Sequence, residues 1–259
     1  MMLRSLIFVP SNSKRFIEKA KALNADIICF DLEDSVPLNE KTTARQAIID
    51  TLAKRAEYRS SIYVRINSLE SGLAFSDLNA IIQDGIDGIV VPKVNDKNEV
   101  NKIEHLTSAL EKERGLGKDS IKLMPSIESA KGVVNAYSIA KSGGRINALV
   151  FGVFDFLYDM HLDYVEDDEV EYRYARAKIP VDARAAGLAA LDGIWQKVDD
   201  LDGLRKDANT AKRLGYSGKT IIHPGQIEPV HKIFMPSKNE IEWAKKVLEA
   251  LRESMEIGN

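Results

Sequence analysis

Directly behind the apolar run Ile27-Ile28-Cys29-Phe30 stand Asp31, Glu33 and Asp34, in the segment CFDLEDSVP. Crowded carboxylates disfavour one another's ionised forms, so such a cluster calls for a cation, a hydrogen-bond network or a proton-transfer task. The plainer alternative is a set of acids that cap the next helix or face water. Two further acids, Glu128 and Asp155, close the apolar runs IKLMPSI and ALVFGVF. On adjacent strand ends they would bring two carboxylates to one hard cation with no imidazole or thiolate required, which selects magnesium, or manganese, over zinc. Two protein carboxylates leave octahedral positions for water and substrate, as a catalytic magnesium requires. Taken singly, each acid is equally well explained as a helix cap or a salt-bridge partner.

Cations and donors accompany these acids. Arg65, in YVRIN, projects from an otherwise apolar stretch and needs an anionic partner, either a substrate or the Asp31 to Asp34 cluster. Lys93, in VPKV, could form a Schiff base with a carbonyl substrate if desolvated, whereas a mouth rich in acids would keep it protonated. Glu128 opens ESAKG, where Ala130, Lys131 and Gly132 would begin a helix whose unpaired N–H groups are accessible to a carboxylate. Asn67 and His223 complete the list, His223 reading more simply as a turn residue before Pro224. Trp195 and the tyrosines of EYRYARA read as packing residues, and DYVEDDEV as a solvated rim.

The elements that would position these groups alternate. Strand-like runs SLIFVP, DIICFDLE, SIYVRIN, GIVVPKV, IKLMPSIE, ALVFGVFDF, a weak GIWQ and KTIIHPG are separated by amphipathic helical segments, and a final helix is expected over NEIEWAKKVLEALRES. Eight strand–helix units in 259 residues predict an α/β fold, a single (β/α)8 TIM barrel over residues 1–259 with its active site at the C-terminal ends of the strands. An open doubly wound sheet is the alternative. Against it, FVPSNSKRF carries none of the glycines of a dinucleotide-binding fingerprint.

With 44% hydrophobic and 29% charged residues the chain reads as an ordinary globular protein, and a net charge of −3 offers no general attraction to nucleic acid or anionic membrane. The opening MMLRSLIFVP is too short in apolar length for a secretory signal, so a cytoplasmic location is expected. Cys29 is the only cysteine, which excludes an intrachain disulfide and a cysteine zinc cluster.

In order and spacing, the segments RSLIFVP (from Arg4), DLEDSV (from Asp31), VRIN (Arg65), VPKV (Lys93), IESAKG (Glu128), FGVFD (Asp155) and GKTIIHPGQI (from Gly218) closely resemble the citrate lyase beta subunit-like (CitE-like) family of the HpcH/HpaI aldolase superfamily. The resemblance implies a lyase that cleaves or forms a carbon–carbon bond in a 2-hydroxy-acyl-CoA such as citryl-, malyl- or citramalyl-CoA, giving an acyl-CoA and a 2-oxo acid. It further implies Mg2+ held by Glu128 and Asp155, substrate bound by Arg65 and the residues after Glu128, and a homotrimer or a pair of trimers. Glu33 and Asp34 are the expected acid–base groups. Alternatives within the same resemblance are a pyruvate-dependent aldolase that uses no CoA and a citrate lyase complex subunit acting on a carrier-bound thioester. Three departures stand out: Ser11 where the family has glycine, Phe154 where relatives carry glutamate, and an end at Asn259 that implies a barrel without the C-terminal lid extension of longer malyl-CoA lyases.

Overall fold

Four- to six-residue parallel strands form the frame of the computed structural model, which describes residues 2–165 and 170–257. In chain order they are β1 (Ser5–Pro10), β2 (Ile27–Asp31), β3 (Ser61–Arg65), β4 (Gly88–Val91), β5 (Lys122–Ile127), β6 (Ala148–Phe151), β7 (Ala189–Asp192) and β8 (Gly218–Ile221). They pair in that order, and β8 closes on β1 through Ser5↔Lys219 and Ile7↔Ile221, giving a closed eight-stranded barrel. The helices α1 (Lys14–Ala20), α2 (Lys41–Leu52), α3 (Ala74–Ile81), α4 (Lys97–Glu113), α5 (Ala130–Ala140), α6 (Val153–Asp159), α7 (Arg173–Ala185) and α8 (Leu201–Leu214) lie between strands. Two more, α9 (Ile227–Phe234) and α10 (Lys238–Ile257), follow β8.

Side chains alternate along each strand, so the barrel has two cores. Leu6, Ile27, Cys29, Tyr63, Val90 and Met124 belong to a small inner cluster. Their neighbours Ile7, Ile28, Phe30, Val64, Ile89 and Leu123 join the larger layer beneath the helices. This explains why Cys29 is fully buried, with its thiol pushed well above its ordinary range by burial.

Three elements differ from the sequence reading. The seventh strand is AALD at Ala189–Asp192, not the expected GIWQ, which is the loop behind it. Alanine and leucine favour helix, but Gly187 adopts the left-handed φ of 80° just beyond α7, and pairing with β6 at Ala148↔Ala189 then outweighs local propensity. The sixth strand stops at Phe151, so Asp155 lies in the first turn of α6 and not on a strand. α9 was not foreseen. Of the tyrosines, Tyr172 is buried as expected while Tyr174 is exposed. In the acidic loop, Tyr164, Val165 and Val170 are exposed, and residues 166–169 lie outside the described residues.

Candidate active site

The alternation that fills the barrel also chooses which side chains crown it. On β2 the inward positions Ile27 and Cys29 are followed by Asp31, and on β3 Tyr63 is followed by Arg65. Phe8, Ser126, Val150 and Thr220 occupy equivalent positions on other strands. Together with Asp34, Glu128 and Asp155 they line a cavity of about 430 Å³ at the C-terminal ends of the strands.

Arg65 is held by the acids of the β2 loop. Its Nε and Nη2 each donate to an Asp31 carboxylate oxygen at 2.7 Å, and its Nη1 lies 3.1 Å from Glu33 and 3.3 Å from Asp34. The guanidinium also stacks 4.7 Å above the Phe8 ring. Of the two partners considered for Arg65, the internal acid cluster is therefore present. Asp31 accepts in addition from the Glu33 N–H, the Ser35 N–H and the Ser35 hydroxyl. Burial works against its charge, yet Arg65 and these donors hold its pKa below the ordinary value. Lys41 fixes the same loop from below, donating to the carbonyls of Leu32 and Glu33 at 2.5 and 2.7 Å.

The neighbouring acids behave in the opposite way. Glu33 is buried, and burial with the adjacent Asp34 charge pushes its pKa to about 7 against the opposing pull of Arg65 and Lys93. Its oxygens lie 3.0 Å from Lys93 Nζ and 3.1 Å from Arg65 Nη1 as ion pairs, without well-directed hydrogen bonds. Glu128 sits one residue past β5, and burial, then the charges of Asp155 and Glu33, raise it to about 8. It accepts the Lys93 N–H at 2.5 Å. A Cβ on Gly152 would stand 2.1 Å from Glu128 Oε2, so only glycine lets β6 turn into α6 beside this carboxylate. Lys93 links the group: its Nζ lies 3.0 Å from Glu33 and 3.6 Å from both Asp34 and Asp155.

Glu33, Asp34, Arg65, Lys93, Glu128 and Asp155 are thus brought together. Ala130, Lys131 and Gly132 are outside the cavity wall. Ser129 caps α5 by accepting the Gly132 N–H, the Ala130 N–H donates to Asp159, and Lys131 Nζ pairs with Asp96 at 3.3 Å. The expectation of open N–H groups there fails for Ala130 and Gly132, whose partners come from the cap residue Ser129 and from Asp159 on α6. His223 is exposed and caps the turn before α9, and Asn67 is bonded to the buried Asp77. Ser11 is fully buried, with its N–H on the Asp31 carbonyl. Phe8, Ser126, Ile194, Gln196 and Thr220 line the cavity without having been singled out. Strand parity points to Phe8 and Ser126, whereas Ile194 and Gln196 were hidden by the misplaced seventh strand.

Among the described residues no group of three acids, histidines or cysteines closes on one point. Two hard carboxylates, Glu128 and Asp155, do stand in the cluster, where burial and then the charges of Asp155 and Glu33 raise Glu128. That combination fits a divalent cation completed by substrate or water oxygens.

Fold and site define a (β/α)8 barrel with an acid-rich mouth. The chain belongs to the HpcH/HpaI aldolase/citrate lyase family, whose model matches residues 4–224. It is 37% identical to the citrate lyase subunit beta of Leuconostoc mesenteroides subsp. cremoris over 99% of this chain and 84% of that subunit. It is 33% identical to the mitochondrial citramalyl-CoA lyase of Rattus norvegicus over 98% of this chain and 78% of that enzyme. A solved structure of CitE from Mycobacterium tuberculosis, in complex with magnesium, acetoacetate and coenzyme A, superposes with a TM-score of 0.74 at 27% identity, covering 97% of this chain and 88% of that one.

Proposed function

We propose that this chain is a magnesium-dependent carbon–carbon lyase that cleaves, or forms, a 2-hydroxy-acyl-CoA of the citryl, malyl or citramalyl type. The observation that carries the reading is the imbalance at the mouth, where Glu33 and Glu128 are buried acids raised to about 7 and 8 beside Asp155. The names of the similar lyases, and the magnesium and coenzyme A held by CitE, support the same chemistry.

Glu128 and Asp155 would hold the metal, which when bound would polarise the substrate's 2-hydroxyl and carboxylate oxygens and stabilise the negative charge that develops there. Arg65 lines the cavity, and a substrate anion would replace the half-exposed Asp34 beside its Nη1. Asp34 lines the cavity and Glu33 does not, so we assign proton transfer at the reacting hydroxyl to Asp34, while Glu33 orients Arg65 and Lys93. Lys93 stays protonated, since Glu33, Asp155 and Asp34 outweigh the effect of its burial, and this disfavours an imine mechanism. Trp243, Val247 and Leu248, exposed on α10, support an oligomer in which they are covered, and the lone buried Cys29 suits the cytoplasm.

The test offers citramalyl-CoA, malyl-CoA and a 4-hydroxy-2-oxo acid to the purified protein with magnesium or with EDTA. Thioester cleavage abolished by EDTA is expected; cleavage of the oxo acid alone would put a CoA-independent aldolase in its place. The 37% identity to a lyase subunit favours one second reading, action on a carrier-bound thioester inside a complex. Activity on an acyl-carrier thioester but on no free CoA ester would establish that version.

A further inference from the structure

Five carboxylates meet at the mouth: Asp31, Glu33, Asp34 and Asp155 lie within ion-pairing distance of Arg65 or Lys93, and Glu128 accepts the Lys93 backbone N–H. These cations differ in freedom. One edge of the Arg65 fork, Nε and Nη2, is fixed on Asp31. Lys93 instead hangs from a rigid backbone. Its φ of 53° is a left-handed conformation rare for a side-chain-bearing residue, which persists only where the surroundings impose it. Here its N–H is bound to Glu128, its carbonyl accepts from the Asn95 side chain, and the next N–H, of Val94, donates to the Ser126 carbonyl. The side chain beyond this anchor is 38% exposed, and its ammonium spans acids carried by two different segments, the β2 loop and α6.

Resting on the metal site proposed above, we infer that Lys93 is a tethered counter-ion: its ammonium offsets part of the acid charge of the mouth in the cation-free protein and competes with the divalent ion for Asp155. An ammonium 3.6 Å from Asp155 Oδ1 and a divalent cation bound to that carboxylate repel each other strongly. Metal entry therefore drives Nζ toward Glu33 and Asp34, and the backbone anchor keeps the Glu128 carboxylate in place while it moves. The arrangement ties the strength of metal binding to one side chain that is not a metal ligand.

The experiment is Mn2+ titration, followed by electron paramagnetic resonance and calorimetry, at alkaline pH where proton competition at the carboxylates is small. The proteins are wild type, Lys93→Met, Lys93→Gln, Lys93→Arg and Glu128→Gln. Removing the charge should tighten Mn2+ binding about tenfold, within the usual range of coupling between two sites. Lys93→Arg should stay near wild type, a rescue that a merely structural lysine would not predict. Unchanged or weaker binding in both neutral variants, with Glu128→Gln still abolishing it, would overturn the counter-ion role and leave the metal site standing. Absence of Mn2+ binding in wild type and neutral variants alike would remove the metal site itself, and this inference with it.

Discussion

Two of the buried charge clusters in this barrel are built on opposite principles. Between β7, β8, α7 and α8, Arg176 and Lys219 meet Asp192 and Asp207, two cations with two acids among the described pairings. Arg176 Nη2 is 2.7 Å from an oxygen of each acid, and Lys219 Nζ is 2.7 Å from Asp192 and 2.5 Å from Asp207. Burial raises the Asp192 carboxyl, but Lys219 and Arg176 more than offset it and hold its pKa below the ordinary value. At the mouth the acids outnumber the cations, and Glu33 and Glu128 are pushed to about 7 and 8. Burial is common to both; balance separates them. A buried acid met by buried cations is costly to leave without them, whereas a buried surplus of acid is an energetic cost that a bound cation relieves.

The largest expected effect comes from removing the surplus charge at its centre. Glu128→Gln should lower the rate of thioester cleavage by about four decades, some 5 kcal/mol of barrier. The metal-free fold should remain intact, because a neutral side chain there relieves repulsion. Steady-state kinetics beside thermal unfolding checks both halves. The balanced cluster should answer in reverse. Asp192→Ala leaves Arg176 and Lys219 without their shared partner and should cost about 3–5 kcal/mol of stability in denaturant unfolding. If Glu128→Gln unfolds the protein while Asp192→Ala is tolerated, the contrast between the clusters is wrong.

A smaller effect follows from pH. Glu33 and Glu128 have folded-state pKa values raised from 4.5 to about 7 and about 8, so the native chain binds protons that the unfolded chain releases. The metal-free protein should accordingly lose stability as pH rises from about 5 to about 8, by a few kcal/mol at roughly 1.4 kcal/mol for each pH unit crossed, discounted because the two acids are coupled. Asp192 has the opposite sign: its contribution is present at neutral pH and lost on acidification below the ordinary carboxylate range. Chemical unfolding across pH, with EDTA and with magnesium, tests the difference. Magnesium and Glu128→Gln should each flatten the alkaline slope, and a slope that neither changes would deny that the surplus acid is the destabilising group.

The contrast also explains what was legible in the sequence. Each acid of the mouth follows an apolar run, so Asp31, Glu33, Glu128 and Asp155 were visible as charges at the ends of buried strands, and alternation of strands with helices gave the barrel. The other cluster was invisible, because Arg176, Asp192, Asp207 and Lys219 sit on four elements and each looks ordinary in its own segment. Asp192 follows a stretch, Ala189–Leu191, whose composition reads as helix, and only sheet pairing makes the two a strand. Asp155 was found but misplaced onto a strand, since the need for Gly152 beside Glu128 is a contact across strands. The partner of Arg65 was undecidable for a related reason: a guanidinium on a strand advertises its need for an anion but not whether the anion is internal.

The smallest expected effect is the absence of a product. If the surplus acid governs the mouth, Lys93 is protonated throughout the working pH range, because Glu33, Asp155 and Asp34 outweigh the burial that would release its proton. A protonated amine has no lone pair with which to attack a carbonyl, so no imine forms with a 2-oxo acid substrate. Incubation with pyruvate and borohydride, followed by peptide mass spectrometry, should leave Lys93 unmodified, with or without EDTA. Pyruvate stands in here for any small 2-oxo acid, since imine formation needs only the carbonyl. Glu33→Gln sharpens the test by deleting the nearest of the three acids, at 3.0 Å. Even then Asp34 and Asp155, each 3.6 Å from Nζ, should keep the ammonium charged. An adduct on Lys93 in the wild-type protein, together with activity that survives EDTA, would show that burial and not acid surplus controls this lysine, and the two clusters would no longer differ in kind.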